Sequence, residues 1–264
     1  SDVTVRSAGS DSTSGIASNE IKINNGAWTT GDQSITTNGT HTIYYRSSDN
    51  AGRTASDSIT IKIDKNAPTL GFTGADSTSW FKPGAVITPF SVDSASGIEI
   101  QKVSFTNGNW QDSLTVTETS DIYCYAKDKA GNEVSGLCGT VHIDEVAPVV
   151  GYTGETETGQ PTEDNGWYNT DITITPNSSD EGGSGLVSQF VSDENGNWRE
   201  NLVITSSSDI FCQATDGAGN TTQSKCGRIN IDKIPPVLAF RGAESGGWYN
   251  ADIKVVPASM DNID

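Results

Sequence analysis

The sequence predicts an all-β protein made of tandem β-sandwich repeats. Three observations lead there: a composition rich in turn formers, short segments that alternate apolar and polar residues, and a phrase that recurs three times along the chain. Of 264 residues, 33% are hydrophobic and 19% are charged, with 28 Gly and one Met. Ser, Thr, Asn and Asp fill much of the remainder, and no stretch carries a helical period of apolar residues. Such a chain lacks strong helix formers and has the punctuation of many short strands.

The formal net charge is −18, from 16 basic and 34 acidic residues. Nucleic-acid binding needs Lys and Arg to displace counterions from phosphates, so that class is excluded. An anionic membrane surface is disfavoured for the same reason. The charge instead favours solubility and cation binding. The longest apolar runs are a few residues, as in Ala85-Val86-Ile87, too short to insert in a bilayer. Ser1 opens directly into a strand-like pattern without a secretory leader, as expected of an excerpt from a longer chain.

The repeat organises everything else. Ile63-Asp64-Lys65-Asn66-Ala67-Pro68 recurs as Ile143-Asp144-Glu145-Val146-Ala147-Pro148 and as Ile231-Asp232-Lys233-Ile234-Pro235-Pro236, with periods of 80 and 88 residues. Each period suits a small seven-strand, Greek-key sandwich of the immunoglobulin type. After each proline comes a short strand ending on Gly74, Gly154 or Gly242. An aromatic pair follows, Trp80-Phe81, Trp167-Tyr168 or Trp248-Tyr249. The next strand alternates, clearest in Asp171–Thr175 and Asp252–Val256, so one face is buried and one is wet. A loop then carries Asp11, Asp93 or Asp180 ahead of Ser-Gly. Asn25-Gly26, Asn107-Gly108 and Asn195-Gly196 predict type I′ hairpins. Trp28, Trp110 and Trp198 lie two residues past those glycines, and the last hairpin turns at Gly52, Gly131 or Gly219.

These landmarks place four segments. Residues 1–64 form a repeat lacking its first strand. Residues 65–144 and 145–232 form complete repeats. Residues 233–264 hold the first two strands of another. A lone strand pair is marginal in water, so the last segment is expected to belong to a longer, elongated array or to pack on something else.

Cys124 and Cys138 lie seven residues either side of Gly131, and Cys212 and Cys226 seven either side of Gly219. Symmetry about a hairpin turn makes each pair cross-strand neighbours, which predicts the bridges Cys124–Cys138 and Cys212–Cys226. Disulfides imply an oxidising, extracellular setting. The first repeat has Tyr45 in place of the first Cys, so the bridge is an optional staple.

The phrases Asp128-Lys129-Ala130-Gly131-Asn132 and Asp216-Gly217-Ala218-Gly219-Asn220, the Trp-Tyr-Asn entry to a strand, and the Asp…Ser-Gly loop resemble bacterial immunoglobulin-like repeats of large secreted and surface-anchored proteins and adhesins. The resemblance implies a cell-surface setting and a spacer or stalk role; it does not specify a ligand. Some relatives are similar in placing calcium between repeats.

Calcium is also the cofactor that the carboxylates point to. In a sandwich of this type the linker Asp arrives near two loops of the next repeat. Asp64 is expected to meet Asp93 and Asp128, Asp144 to meet Asp180 and Asp216, and Asp232 to meet Asp261. Carboxylate clusters are hard-oxygen sites suited to Ca²⁺. The same residues equally suit turn caps that accept backbone N–H bonds. Asp193-Glu194-Asn195-Gly196-Asn197 mimics part of an EF-hand loop, but a hairpin explains it better.

The other candidates are weaker. Six Trp at two recurrent positions are better explained by packing within each sandwich than by a glycan platform. The acidic segment 155–165 is the obvious loop unique to one repeat. His41 and His142 sit on strands where other repeats carry different residues, and no nucleophile motif or phosphate loop is present, so no enzyme is expected. A Lys–Asn isopeptide bond has Lys22 and Lys102 as candidates, but the third repeat carries Gln189 there. The expected partners are neighbouring repeats, other copies in a filament, or a surface receptor or glycan. Three roles stay open: stalk, filament subunit, and glycan- or host-protein-binding module.

Overall fold

The computed structural model describes residues 2–194 and 196–260. All described elements are strands, and no helix is long and apolar enough to cross a membrane. The first set is β1 (Val3–Val5), β2 (Ile16–Ile23), β3 (Thr29–Thr30), β4 (Gln33–Ile35), β5 (Gly39–Asp49) and β6 (Thr54–Ile63). The second is β7 (Phe72–Thr73), β8 (Trp80–Phe81), β9 (Ala85–Pro89), β10 (Ile98–Ser104), β11 (Leu114–Val116), β12 (Ser120–Asp128) and β13 (Glu133–Ile143). The third is β14 (Tyr152–Thr156), β15 (Trp167–Tyr168), β16 (Ile172–Pro176), β17 (Leu186–Ser192), β18 (Leu202–Ile204), β19 (Ser208–Asp216) and β20 (Thr221–Ile231). Two strands follow, β21 (Val237–Arg241) and β22 (Val256–Met260).

The chain divides into two compact units. The first holds β1–β7, β9–β12 and β13 as far as Val141; the second holds β8, the end of β13 from His142, and β14–β22. Within them the sheet orders repeat: β3-β2-β5-β6 with β1-β4, β10-β12-β13-β8 with β11-β9-β7, and β15-β20-β19-β17 with β14-β16-β18. Successive strands such as β9, β10, β11 and β12 alternate between two sheets, which is the Greek-key connectivity of an immunoglobulin-like sandwich. The protein is therefore an all-β array of tandem sandwiches.

Period-2 alternation builds each core. In the first sandwich Ile21, Ile35, Ile43 and Ile63 pack together with Val3 and Val5, drawing on both sheets. In the third, Ile172, Ile174 and Ile204 of one sheet meet Val191, Ile210, Cys212, Ile229 and Ile231 of the other. The matching residues of the second, Ile87, Val103, Val116, Ile122 and Val141, are fully buried. Each such side chain contributes about 1.5–3 kcal/mol on leaving water.

The cysteines are bonded as Cys124–Cys138 and Cys212–Cys226, with Cα atoms 5.9 and 5.7 Å apart. They are not directly opposed, as symmetry about the glycines implied. Cys124 faces Gly136, and Cys138 falls between the pairs Tyr123↔Leu137 and Ile122↔Gly139. Cys138 is thus the extra residue of a β-bulge, and Cys226 is its counterpart between Phe211↔Lys225 and Ile210↔Gly227. The bulge shifts the inward parity of β13 from Val134 and Gly136 to Val141 and Ile143. In the first sandwich β5 and β6 pair without interruption from Gly39↔Ile63 to Ser48↔Thr54. Bulge and disulfide are absent there together, and Tyr45 instead donates its hydroxyl to Asp57 at 3.1 Å.

Two local expectations need correction. Type I′ turns require positive φ at both central residues. Positive φ falls on Asn24 (51°) and Asn109 (50°), beside rather than at the Asn25-Gly26 and Asn107-Gly108 pairs. At the third hairpin Gly196 has φ 72°, and Asn195 lies outside the described residues. The strand expected at Asp252–Val256 begins instead at Val256 and runs to Met260. Its pairing of Phe240 with Pro257 repeats that of Tyr152 with Pro176 and of Phe72 with Pro89.

Candidate functional site

Two groups of three aspartates come together. Asp64, Asp93 and Asp128 each offer a carboxylate oxygen within 4.8 Å of the others, and so do Asp144, Asp180 and Asp216. Each group joins the Asp that ends a last strand to two loops of the following sandwich. Asp232, the third linker Asp, bonds Ile234 N at 2.8 Å, and its expected partner Asp261 lies outside the described residues.

Each carboxylate also organises its loop. Asp93 Oδ1 accepts the backbone N–H groups of Ala95, Ser96 and Gly97 at 3.2, 2.8 and 2.7 Å. Asp64 reaches across, its Oδ2 accepting Ser96 N at 3.1 Å. Asp128 accepts Asn132 N at 2.8 Å and Asn132 Nδ2 at 2.7 Å. The second group is similar. Asp144 Oδ2 accepts both the N–H and the hydroxyl of Ser184, at 3.1 and 2.5 Å. Asp180 accepts Gly185 N at 2.8 Å, and Asp216 accepts Asn220 N at 2.7 Å and Asn220 Nδ2 at 2.8 Å. Gly182 is required here, because a Cβ at that position would overlap the Asp144 carboxylate.

One carboxylate of the first group and two of the second are buried; the other three are half-buried. Asp128 is fully buried, and Asp144 and Asp216 are each 2% exposed. Burial is the largest influence on Asp128 and pushes its carboxyl up. The bonds from Asn132, Ala130 and Gly131 together outweigh it and hold the group below the ordinary carboxylate range. For Asp144, burial is again largest, and the Ser184 and Val146 donors again prevail. The donors therefore keep these carboxylates ionised while water is excluded. Carboxylates this close repel one another when ionised, a repulsion that a divalent cation would neutralise.

Asn132 and Asn220 are site residues that the aspartate pattern did not single out. Asn132 Nδ2 donates to the carbonyls of Asp64 and Asn66, both at 3.1 Å, and Asn220 Nδ2 to those of Asp144 and Val146 at 3.0 and 3.5 Å. The recurrent Ala-Gly-Asn phrase carried the signal, because Arg53 replaces this Asn in the first sandwich.

The aromatic residues divide by position. Trp28 takes the Arg46 guanidinium on its ring at 4.3 Å, and Trp110 lies 5.6 Å from Tyr125, each packed on its own sheet. Trp80 lies 5.2 Å from His142 and reaches Gly183 in the Asp180–Gly185 loop, where an added Cβ would stand 3.1 Å from its ring. Trp167 pairs with Asn230 on the edge of its sheet and is 57% exposed, so packing within its sandwich accounts for only part of its surface. His41 is buried between Asn24 and the Thr37 carbonyl. The registers align Lys102 with Glu20 rather than with Lys22, and Lys102 pairs with Asp112 at 2.5 Å.

No protein-family model matches the chain, and no curated protein matches it. Among solved structures, fibronectin(III)-like modules of Clostridium thermocellum CbhA are similar at 12% identity and a TM-score of 0.37, covering 62% of this chain and 94% of that one. A tetra-tandem repeat from the extending region of a large adhesion protein is similar at 17% identity and a TM-score of 0.28, covering 92% and 79%. Extracellular cadherin domains 3–6 of protocadherin gamma B2 are similar at 17% identity and a TM-score of 0.29, covering 92% and 76%. At these values the likeness assigns no function.

Proposed function

We propose that the chain is a non-catalytic, extracellular segment of a bacterial surface or secreted protein of the adhesin type. Its sandwiches act as a stalk or spacer, and calcium stiffens the linkers. The observation that carries this is the twofold recurrence of one acidic group, in which a linker Asp meets two loops of the next sandwich within 4.8 Å. Three carboxylates supply hard oxygens of the kind Ca²⁺ takes, and water or loop carbonyls would complete the six to eight that it needs. An ion held this way ties the linker to both loops at once and removes bending freedom from it. The two disulfides support an oxidising compartment, since a reducing cytosol does not maintain them. His41 and His142 are engaged in packing, which supports a structural role over a catalytic one.

Thermal unfolding with calcium and with EDTA tests the reading. Calcium at one hundred times its Kd stabilises by about 2.7 kcal/mol per site, so the midpoint should rise clearly. A midpoint that does not move between the two conditions removes calcium from the proposal.

A further inference from the structure

The acidic segment 155–165, the loop unique to the third repeat, folds back over its own sandwich and then runs along β20. Its turn closes as Thr156 N and Gly159 N donate to the Gln160 and Thr156 carbonyls, both at 2.9 Å, and Thr162 N returns to the Gly154 carbonyl at 2.8 Å. Asp164 Oδ1 then accepts Arg228 N at 2.7 Å, and Asn165 N donates to the Arg228 carbonyl at 2.8 Å. Asn230 N donates to the Gly166 carbonyl at 3.1 Å, and Asn230 Nδ2 to that of Asn165 at 3.0 Å. Asp232 N donates to the Tyr168 carbonyl at 2.9 Å. Gly227 leaves room for this, because a Cβ there would stand 2.7 Å from Asp164 Oδ1.

The pairing is parallel, Trp167 with Asn230 and Tyr168 with Ile231. The incoming chain reaches it from Pro148 through β14, and β20 leaves it at Asp232. Tension between those two points pulls the paired segments in opposite senses along their lengths. The bonds between parallel strands are evenly spaced, so they are loaded together in shear rather than opened one at a time. β14 itself pairs with β16 in the other sheet, so its release leaves the Asp164–Tyr168 patch as the bond between the incoming chain and the outgoing strand. Behind the patch, Cys226 precedes Arg228 on β20 and is bonded to Cys212, at a sequence separation of 14. Once the patch yields, β20 can be drawn out only as far as Cys226, and the stretch back to Cys212 stays closed.

We propose that the third sandwich is a load-bearing element. The Asp164–Tyr168 patch on β20 is a latch that resists tension between the ends of the repeat. The Cys212–Cys226 bridge is a stop that limits how far the chain extends once the latch opens. The segment 155–165 serves the latch, since it supplies Asp164 and Asn165. Resistance to a pull is governed by the rate of unfolding, so a short run of bonds that must break at once is enough to set it. The inference rests on the stalk reading for its purpose, because a stalk transmits tension along its length. It does not rest on calcium, and its test is run in EDTA so that the two can fail separately.

Force-clamp spectroscopy of the intact chain, held at its two ends, reads the outcome. Cys212→Ala/Cys226→Ala should lengthen one unfolding step by about 4 nm, the extended span of the residues that the bridge encloses, and the step that lengthens belongs to the third sandwich. In the bridged chain, Asp164→Ala and Asn230→Ala should each speed that step about fivefold at fixed load, the effect of one lost hydrogen bond. Thr221→Ala loses the 3.0 Å bond to Thr215 Oγ1 inside the closed stretch, which carries no load, and should leave the rate unchanged. Asp164 is exposed, so its loss removes no core packing, and circular dichroism checks that every variant folds. A step that keeps its rate in both latch variants, one that Thr221→Ala speeds as much, or a length unchanged by loss of the bridge overturns the proposal.

Discussion

The side-chain amide of Asn220 donates to the carbonyl of Asp144 at 3.0 Å, joining residues 76 positions apart. The same Nδ2 group donates to Asp216, so one side chain couples the hairpin carboxylate to the incoming linker. Asn132 does this for Asp64 and Asp128. Asn220→Ala and Asn132→Ala should each cost about 1–2 kcal/mol, since buried acceptors lose their donor. Urea unfolding of the single and double variants checks this. The two sites share no partner, so their effects should add.

The effect of removing a charge from an acidic group should change sign with the metal. Asp216→Asn keeps the shape and removes one of three neighbouring charges. In EDTA it should be neutral or stabilising; in calcium it should lose most of the metal-dependent rise in midpoint. Calorimetric titration should show one calcium site fewer. Loss of stability in EDTA equal to that in calcium would mark Asp216 as a turn cap alone.

Removal of a disulfide should act on one sandwich only. Cys124→Ala/Cys138→Ala opens a link of sequence separation 14, and the chain-entropy model gives about 3 kcal/mol for such a loop. The first sandwich, whose β5–β6 pair has neither bulge nor bridge, should keep its hydrogen-exchange protection. Exchange measured by mass spectrometry should show the loss in β12 and β13.

Alkaline titration should single out Tyr152. Burial, then Asp164 and Tyr168, push its phenol up to about 12, and its hydroxyl is buried without a partner among the described residues. A pKa raised on folding gives stability that is complete below the unfolded value of about 10 and is lost as pH climbs through about 12. Absorbance at 295 nm should show Tyr152 titrating late; Tyr45, bonded to Asp57, is also held above the ordinary range. Tyr152→Phe should abolish that late step and be neutral or mildly stabilising at pH 7, because an unsatisfied hydroxyl leaves the interior.

Much of this protein is local and periodic, and such features are legible in one dimension. Alternation in Ile172–Thr175 marks a half-buried strand because side chains on a strand change face at every residue. The recurring linker phrase, the paired cysteines and the three-aspartate scheme follow from repetition, which makes each copy a check on the others. Register is different. Whether Cys138 opposes Cys124 or sits in a bulge depends on pairing with β12, and the symmetric count about Gly131 missed the extra residue. The same holds for Asn132 and Trp80, whose partners Asp64 and Gly183 lie far away in sequence. The amino-acid order by itself determined the repeat, the sandwich and the acidic groups. The tertiary structure decided which donors bond those carboxylates across the linker, because that depends on the meeting of distant segments.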